Sequence, residues 1–190
     1  TTTTVATNPV TLTPGTQYET WAWGWQSANS NSTTTAAMTA SVLSATPYMG
    51  FATYYGFGAN INESNIKQLA GQMQQNGLQQ NGYTLIWLDW GWTSGTRDSQ
   101  GNLVTDQTNW PSGMNGLTSY LHSLGFKIGI YTDAGASGCS NSGVGSLNHY
   151  QQDANTFATW GFDAVKVDFC GAGQAGLVPE VQLTQFASAI

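Results

Sequence analysis

The most informative strand of the sequence reads Ala164-Val165-Lys166-Val167-Asp168-Phe169-Cys170-Gly171. Because side chains alternate along a strand, Lys166 and Asp168 are predicted to lie on the same face. A neighbouring cation favours the ionised carboxylate, which is the state that a nucleophile or an electrostatic catalyst needs. A structural ion pair at the end of a strand is the commoner arrangement of these two residue types. The rest of the chain has to decide between the two interpretations.

Strands and helices alternate from residue 48 onward. Strands are predicted near residues 48–54, 84–90, 127–133 and 164–170, at nearly even spacing. This rhythm is typical of βα units with parallel strands. The strands are almost continuously apolar, which indicates a sheet covered on both faces, as in a doubly wound sheet or a (β/α)₈ barrel.

Two observations favour the barrel over a dinucleotide-binding fold. The segment Gly56-Phe57-Gly58 lacks the third glycine of the phosphate-binding fingerprint. In a barrel, the carboxyl ends of the strands surround one mouth. The predicted strand ends carry Tyr54, Asp89, Asp133 and Asp168, which the barrel would gather at that mouth.

Helices are predicted between the strands from apolar residues at helical spacing. Asn62 and Ser112 are the predicted N-caps of the first two helices, and Glu63 lies in the first turn of the first. A last helix begins in the segment 181–190. The three predicted buried stripes are Ile66, Leu69, Ala70 and Met73; Met114, Leu117, Leu121 and Leu124; and Tyr150, Ala154, Phe157 and Ala158.

The composition excludes some classes of function. The 190 residues are 40% hydrophobic and 12% aromatic, as in globular proteins, but only 7% are charged, against roughly a quarter in ordinary domains. A net charge of −6 with four basic residues cannot supply a phosphate-neutralising patch, so no nucleic-acid partner is expected. No apolar run is long enough to span a membrane, so no membrane partner is expected either.

The first 45 residues differ from the rest in composition. They are rich in Thr, Ser and Ala, and we predict an N-terminal extension and linker over residues 1–45. Trp21, Trp23 and Trp25 alternate within it and would share one face of an extended segment, either as a packing surface or as a platform for sugars. The Ser/Thr/Asn/Gln-rich, Lys-poor composition favours an extracellular protein. The two cysteines, Cys139 and Cys170, are either free buried thiols or a disulfide.

Five blocks of sequence occur in the order and at the spacing of one known family. They are 46–51 (Thr-Pro-Tyr-Met-Gly-Phe), 88–92 (Leu-Asp-Trp-Gly-Trp), 97–103 (Arg-Asp-Ser-Gln-Gly-Asn-Leu), 126–133 (Phe-Lys-Ile-Gly-Ile-Tyr-Thr-Asp) and 166–170 (Lys-Val-Asp-Phe-Cys). Over about residues 46–190 the chain therefore resembles glycoside hydrolase family 27. This family contains α-galactosidases and α-N-acetylgalactosaminidases, and also isomalto-dextranases. The resemblance implies a secreted, retaining α-glycosidase with a (β/α)₈ catalytic domain, of which this chain covers about the first four βα units.

The resemblance also implies roles for single residues. Asp168 matches the family's nucleophile, Lys166 a residue that holds the sugar beside it, and Tyr131 a tyrosine of the sugar pocket. Cys139 and Cys170 match a disulfide next to the nucleophile. In the implied reaction a carboxylate attacks the anomeric carbon, a covalent glycosyl-enzyme forms, and water completes the retention. This chemistry needs no metal and no cofactor, and none is expected.

Two positions of the implied sugar pocket depart from the family pattern. The aspartate pair after the second strand reads Asp89-Trp90, and the tryptophan after Met-Gly is Phe51. An α-galactosidase-like activity on terminal α-linked sugars is expected. Because a lost polar contact weakens discrimination between hydroxyl groups, a gluco-directed activity such as that of isomalto-dextranase stays open. A non-catalytic carbohydrate-binding fragment is a further alternative.

The expected partner in each case is an oligosaccharide or polysaccharide. The family's general acid/base lies on a later strand, so the remainder of the catalytic domain is expected beyond Ile190. The 190-residue chain alone is expected to be inactive.

Overall fold

The structure, a computed structural model, describes residues 48–139 and 143–190. Its strands are β1 (Gly50–Ala52), β2 (Leu85–Leu88), β3 (Thr93–Arg97), β4 (Leu103–Thr105), β5 (Lys127–Asp133) and β6 (Ala164–Asp168). Its helices are α1 (Tyr54–Phe57), α2 (Glu63–Gln75), α3 (Gly113–Ser123), α4 (Tyr150–Thr159), α5 (Cys170–Gln174) and α6 (Pro179–Ala187), with a 3₁₀ turn at Gln79–Asn81. The predicted extension over residues 1–45, with Trp21, Trp23 and Trp25, lies outside the described residues.

Four of these strands form one parallel sheet in the order β1-β2-β5-β6. Leu85 pairs with Lys127, and Tyr131 pairs with Lys166. The prediction that the segments near 84–90, 127–133 and 164–170 are parallel neighbours is confirmed. Since parallel strands end on the same side of a sheet, the residues that follow them share one edge.

The two faces of the sheet have different surroundings. Ile86, Leu88, Ile128 and Ile130 are fully buried in the core that the helices cover. The alternate positions form the other face, where Trp87 pairs in register with Gly129. A Cβ at position 129 would overlap the Trp87 indole, so only glycine leaves room for this ring. The polar strand ends continue this second face.

The first strand is shorter than predicted. It covers only Gly50–Ala52, and Tyr54, expected at a strand end, begins α1. The backbone N–H of Thr53 still donates to the carbonyl of Trp87, but the amides of Gly56 and Phe57 both turn back to the carbonyl of Thr53. The chain therefore leaves the sheet at Thr53, and Tyr54 is half-exposed.

Helices α2 and α3 form where the sequence predicts them. Asn62 caps α2 through a reciprocal capping box with Asn65. Ser112 precedes α3 but makes no side-chain cap. Its hydroxyl and its backbone N–H donate instead to the two carboxylate oxygens of Glu63, at 2.7 and 2.8 Å. Glu63 is buried and also pairs with Lys67, so its carboxylate joins the starts of two helices.

Helix α4 differs from its predicted apolar stripe at one position. Tyr150, Ala154 and Phe157 are buried as predicted, but Ala158 is exposed and Asp153 takes a buried place. A carboxylate is accommodated there because Arg97 meets it with both terminal nitrogens, at 2.6 and 2.7 Å.

Arg97 belongs to an antiparallel hairpin, β3–β4, that sequence patterns did not predict. Its first strand, Thr-Ser-Gly-Thr-Arg, has no apolar residue to alternate with polar ones. The turn is closed by Asp98, whose Oδ1 accepts from the amides of Gln100 and Asn102, both at 2.8 Å. The hairpin is inserted between β2 and α3 and is tied to α4 through Arg97.

Candidate active site

Asp168 ends β6 and is partly buried. Its Oδ1 accepts a hydrogen bond of 2.8 Å from the backbone N–H of Phe169, and its Oδ2 accepts one of 3.2 Å from the Tyr131 hydroxyl. Each oxygen thus has one described donor, and neither oxygen forms an ion pair with a described cation. A carboxylate held in this way is oriented but keeps lone pairs for a further partner.

Lys166 lies on the same face as Asp168, as the alternation predicts, but it pairs with Asp89. Its Nζ is 2.7 Å from Asp89 Oδ2 and 5.3 Å from the centroid of the Tyr131 ring. Asp89 is 4% exposed, and its other oxygen accepts from the backbone N–H of Trp90. Asp89 is buried with a single described amide donor, so the lysine compensates its charge, whereas the partly solvated Asp168 has less need of a cation.

Tyr131 stands between the two carboxylates. It is 5% exposed, and its ring lies under the Lys166 ammonium. Burial first, and then the negative charges of Asp168, Asp133 and Asp89, raise the pKa of Tyr131 well above its ordinary value. The phenol therefore keeps its proton and remains the donor to Asp168.

Trp90 fills the space beside Tyr131. The two rings meet edge to face, with centroids 6.0 Å apart. On its other side the indole lies against Gly143, where an added Cβ would overlap the ring and where φ is +68°. The structure thus brings Asp89, Trp90, Tyr131, Lys166 and Asp168 together at the carboxyl edge of the sheet; we call these five residues the site cluster.

Phe51 is not part of the site cluster. It pairs in register with Ile86, so it lies on the helix-covered face of the sheet. Its ring packs edge to face on Phe57, at 6.3 Å between centroids, and it adjoins the hydrophobic core.

Asp133 also ends a strand, but its carboxylate is bound by backbone amides. It is fully buried. Its Oδ1 accepts from the amides of Gly135 and Ala172, and its Oδ2 accepts from that of Gly171, at 2.6, 3.0 and 2.9 Å. This carboxylate ties the end of β5 to the start of α5, and its described hydrogen bonds leave it no open approach.

The predicted disulfide between Cys139 and Cys170 is confirmed. The two Cα atoms are 4.8 Å apart, and the cysteines are 31 residues apart in sequence. The Sγ of Cys139 lies 3.9 Å from Asp168 Oδ2. The bridge therefore fixes the loop after β5 directly beside the strand-end carboxylate.

Sequence reasoning missed two residues that position the site cluster. Thr53 is fully buried, and its hydroxyl accepts from the backbone N–H of Asp89 at 2.9 Å. Trp92 is buried, and its indole N–H donates to the carbonyl of Tyr131 at 2.8 Å. No motif marks either contact, since both join a side chain to the backbone of another strand. The only available signal was that Thr53 and Trp92 directly flank strand ends.

The fold and the site define an α/β protein whose charged and aromatic side chains meet at the carboxyl ends of parallel strands. A family profile described as Alpha galactosidase A matches residues 56–183. The chain belongs to this family, glycoside hydrolase family 27. Alpha-galactosidase 2 of Arabidopsis thaliana is 48% identical over 128 residues, which are 67% of this chain and 32% of that protein.

Solved structures give the same assignment. Alpha-galactosidase I from Mortierella vinacea superposes with a TM-score of 0.72 at 31% identity, over 80% of this chain and 38% of its own. The Saccharomyces cerevisiae α-galactosidase with raffinose gives a TM-score of 0.71 at 32% identity, over 78% of this chain and 32% of its own. These neighbours are TIM-barrel enzymes, and the parallel sheet with its helices matches part of such a barrel. The chain spans about a third of the length of the curated relatives it matches.

Proposed function

We propose that this chain carries the nucleophile of a retaining α-glycoside hydrolase that acts, as an α-galactosidase does, on terminal α-linked sugars of oligosaccharides or polysaccharides. The observation that carries the proposal is the state of Asp168. It is a partly open carboxylate at a strand end, held by Tyr131 and by the Phe169 amide, in a chain whose relatives are named α-galactosidases.

Asp168 performs the first step by attack on the anomeric carbon. One of its oxygens forms the new bond, the glycosidic C–O bond breaks, and the leaving oxygen takes a proton from a general acid. Water then attacks the same carbon, its proton passes to the general acid that was deprotonated in the first step, and the bond to Asp168 breaks, which releases the sugar with its original configuration and restores the carboxylate. The Tyr131 hydroxyl stays protonated and orients Asp168 throughout, and the Lys166–Asp89 pair offers donors and acceptors for sugar hydroxyl groups.

The general acid comes from outside the described residues. The carboxylates nearest to Asp168 along the sheet edge are Asp89 and Asp133; the first is paired with Lys166 and the second is saturated by three backbone amides. A retaining enzyme needs its two carboxyl groups about 5–5.5 Å apart. We therefore propose that the four parallel strands are the first half of a (β/α)₈ barrel and that another part of the enzyme supplies the acid.

The test of this function is Asp168→Asn in the complete protein. Turnover of an aryl α-galactoside should fall by about 10³-fold or more, because the covalent step is lost, while sugar affinity and melting temperature change little. Asp98→Asn is the matched control, since Asp98 is an exposed hairpin residue. Full turnover in a folded Asp168→Asn variant would refute the nucleophile.

A gluco-directed activity of the isomalto-dextranase type is the second candidate, and Trp90 favours it. An indole offers one donor and no acceptor where the family has a second carboxylate, and here it is wedged between Tyr131 and Gly143. The axial 4-hydroxyl of galactose would have to find its acceptor in Asp89 alone. Comparing kcat/KM on aryl α-galactoside, aryl α-glucoside and dextran decides the question. Strong activity confined to the galactoside would eliminate the gluco-directed alternative.

We also propose that the protein acts outside the cell. The disulfide between Cys139 and Cys170 fits an oxidising compartment, as does the composition. None of the described helices combines the length and the apolar character that crossing a membrane requires.

A further inference from the structure

We propose that Gly143 is a specificity-determining residue of the site and that Arg97 is a positioning residue that acts through it. Together they hold the indole of Trp90 at one place in the site cluster, and that place decides which terminal sugar is preferred. The inference rests on the proposed function and adds to it the residues that set the choice of sugar.

The contact between Trp90 and Gly143 carries the inference. A Cβ added at position 143 would overlap Cη2 of the indole and lie 2.9 Å from its Cζ3. The backbone of Gly143 also has a φ of +68°, which disfavours every residue that carries a Cβ. Since the same ring meets Tyr131 edge to face, it occupies a space that is open to it only while position 143 is glycine.

This contact does not depend on the outer edges of the sheet. Trp90 follows β2, and Gly143 lies in the loop after β5. These two strands are the central pair of the four, and β1 and β6 flank them. The packing of the indole on Gly143 is therefore set by neighbouring strands of this chain.

The loop segment that contains Gly143 is fixed to the end of β5. We call residues 143–147 the return arm. The backbone N–H of Ser146 donates to the carbonyl of Asp133 at 2.8 Å, and the hydroxyl of this buried serine lies 2.6 Å from that of Thr132. The return arm is thus held at the strand end from which it faces the indole.

Arg97 ties the return arm to the hairpin and to α4. One terminal nitrogen donates to the carbonyl of Gly145 at 2.8 Å and to Asp153 Oδ2, and the other donates to Asp153 Oδ1 and to the carbonyl of Gly101. All four N–H groups of the two terminal nitrogens are therefore used. A lysine has a single nitrogen and cannot reproduce this fork.

A displaced indole would change the room that the site cluster leaves for a sugar. Trp90 directly follows Asp89 and meets Tyr131, so its ring forms a wall of the site cluster. One methylene group more or less in a pocket changes the discrimination between similar substrates by about 10–200-fold. The effect is therefore expected in the preference between sugars and not only in the total activity.

The first experiment measures kcat/KM of the complete protein on an aryl α-galactoside and an aryl α-glucoside. Gly143→Ala should lower kcat/KM about tenfold on the better substrate and less on the other, because the ring can no longer keep its place. In a Trp90→Ala background the same substitution should leave the ratio between the substrates unchanged, since no ring remains to be displaced.

Gly113→Ala is the matched control. Gly113 has a φ of +67°, and nothing lies within 4 Å of the place where a Cβ would stand. The control therefore introduces a similar backbone strain without touching the indole, and it should not change the ratio between the substrates. A ratio that Gly143→Ala leaves unchanged, or that changes equally with Gly113→Ala or in the Trp90→Ala background, would overturn the inference and leave the proposed function intact.

Arg97→Lys tests the positioning role. The lysine keeps a cation beside Asp153 but weakens the hold on Gly145, so the ratio should change in the same direction as with Gly143→Ala and by a smaller factor. This change should also disappear in the Trp90→Ala background. A ratio that Arg97→Lys does not alter would overturn the role of Arg97. If the unaltered protein cleaves neither substrate, the proposed function fails and the inference fails with it.

Discussion

At the scale of the residue, Asp133 and Asp168 show how equal positions can have different roles. They pair in register at the ends of neighbouring strands. Asp133 is buried under three backbone amides, whereas Asp168 is partly open and holds one amide and one phenol. Strand patterns alone offer both carboxylates, and only the family resemblance singles out Asp168, because the difference in their surroundings depends on backbone amides after β5 and at the start of α5.

The structural role of Asp133 predicts the effect of Asp133→Asn. Its Oδ1 accepts from two amides and its Oδ2 from a third, so an asparagine must turn its NH₂ group towards an amide N–H that needs an acceptor. Leaving a buried donor unsatisfied should cost about 2 kcal/mol of unfolding free energy. Denaturant unfolding of the variant measures this cost. A variant as stable as the unaltered protein would contradict the structural role.

Lys166 shows what strand alternation can and cannot predict. The period of two places Lys166 and Asp168 on one face, and the structure agrees. The partner of the lysine is Asp89, which follows β2 on the far side of β5, and this contact depends on the order of the strands in the sheet. For the same reason Phe51 could not be separated from the site cluster before the register of β1 was known.

At the scale of the element, the clamp between α2 and α3 depends on the charge of Glu63. Burial raises the pKa of Glu63, but hydrogen bonds from Lys67 and from Ser112 outweigh it and hold the pKa below the ordinary value of 4.5. The ionised clamp therefore stabilises the fold fully above about pH 4.5, and its contribution is lost as the pH falls through the lower folded-state value.

Glu63→Gln should consequently lower the melting temperature at pH 7 and have a smaller effect at pH 3, because acid removes the same charge from the unaltered protein. Melting curves at the two pH values measure this difference. Glu180→Gln, on the exposed first turn of α6, is the control and should show no such dependence. An equal loss at both pH values would mean that the charge of Glu63 contributes nothing.

The elements were predictable to different degrees for physical reasons. The strands β2 and β5 bury apolar residues on the helix-covered face, β6 packs the partly buried Val165 and Val167 against the same core, and α2, α3 and α4 have apolar stripes, so their patterns are strong. The β3–β4 hairpin has no such pattern, because polar contacts hold it. A separate polar contact, from Arg97 of the hairpin, accommodates Asp153 on the buried face of α4.

At the scale of the whole molecule, the disulfide joins the loop after β5 to the start of α5 across 31 residues. Closing a loop of this length in the unfolded chain should stabilise the fold by about 3–4 kcal/mol. Cys139→Ser with Cys170→Ser should lower the unfolding free energy by that amount, and turnover as well, because the bridge adjoins Asp168. Unchanged stability in the double variant would show that the loop is held by other contacts.

The Arg97–Asp153 pair gives the molecule a contact that dissolved salt cannot easily weaken. The side chains are 13% and 0% exposed, and the pair joins residues 56 positions apart. Mobile ions screen exposed charges strongly but reach buried ones poorly. At Lys67–Glu63 the lysine is 34% exposed, so that pair is the more open to screening. We therefore expect the contact between Arg97 and Asp153 to hold the hairpin against α4 at high and at low salt concentrations.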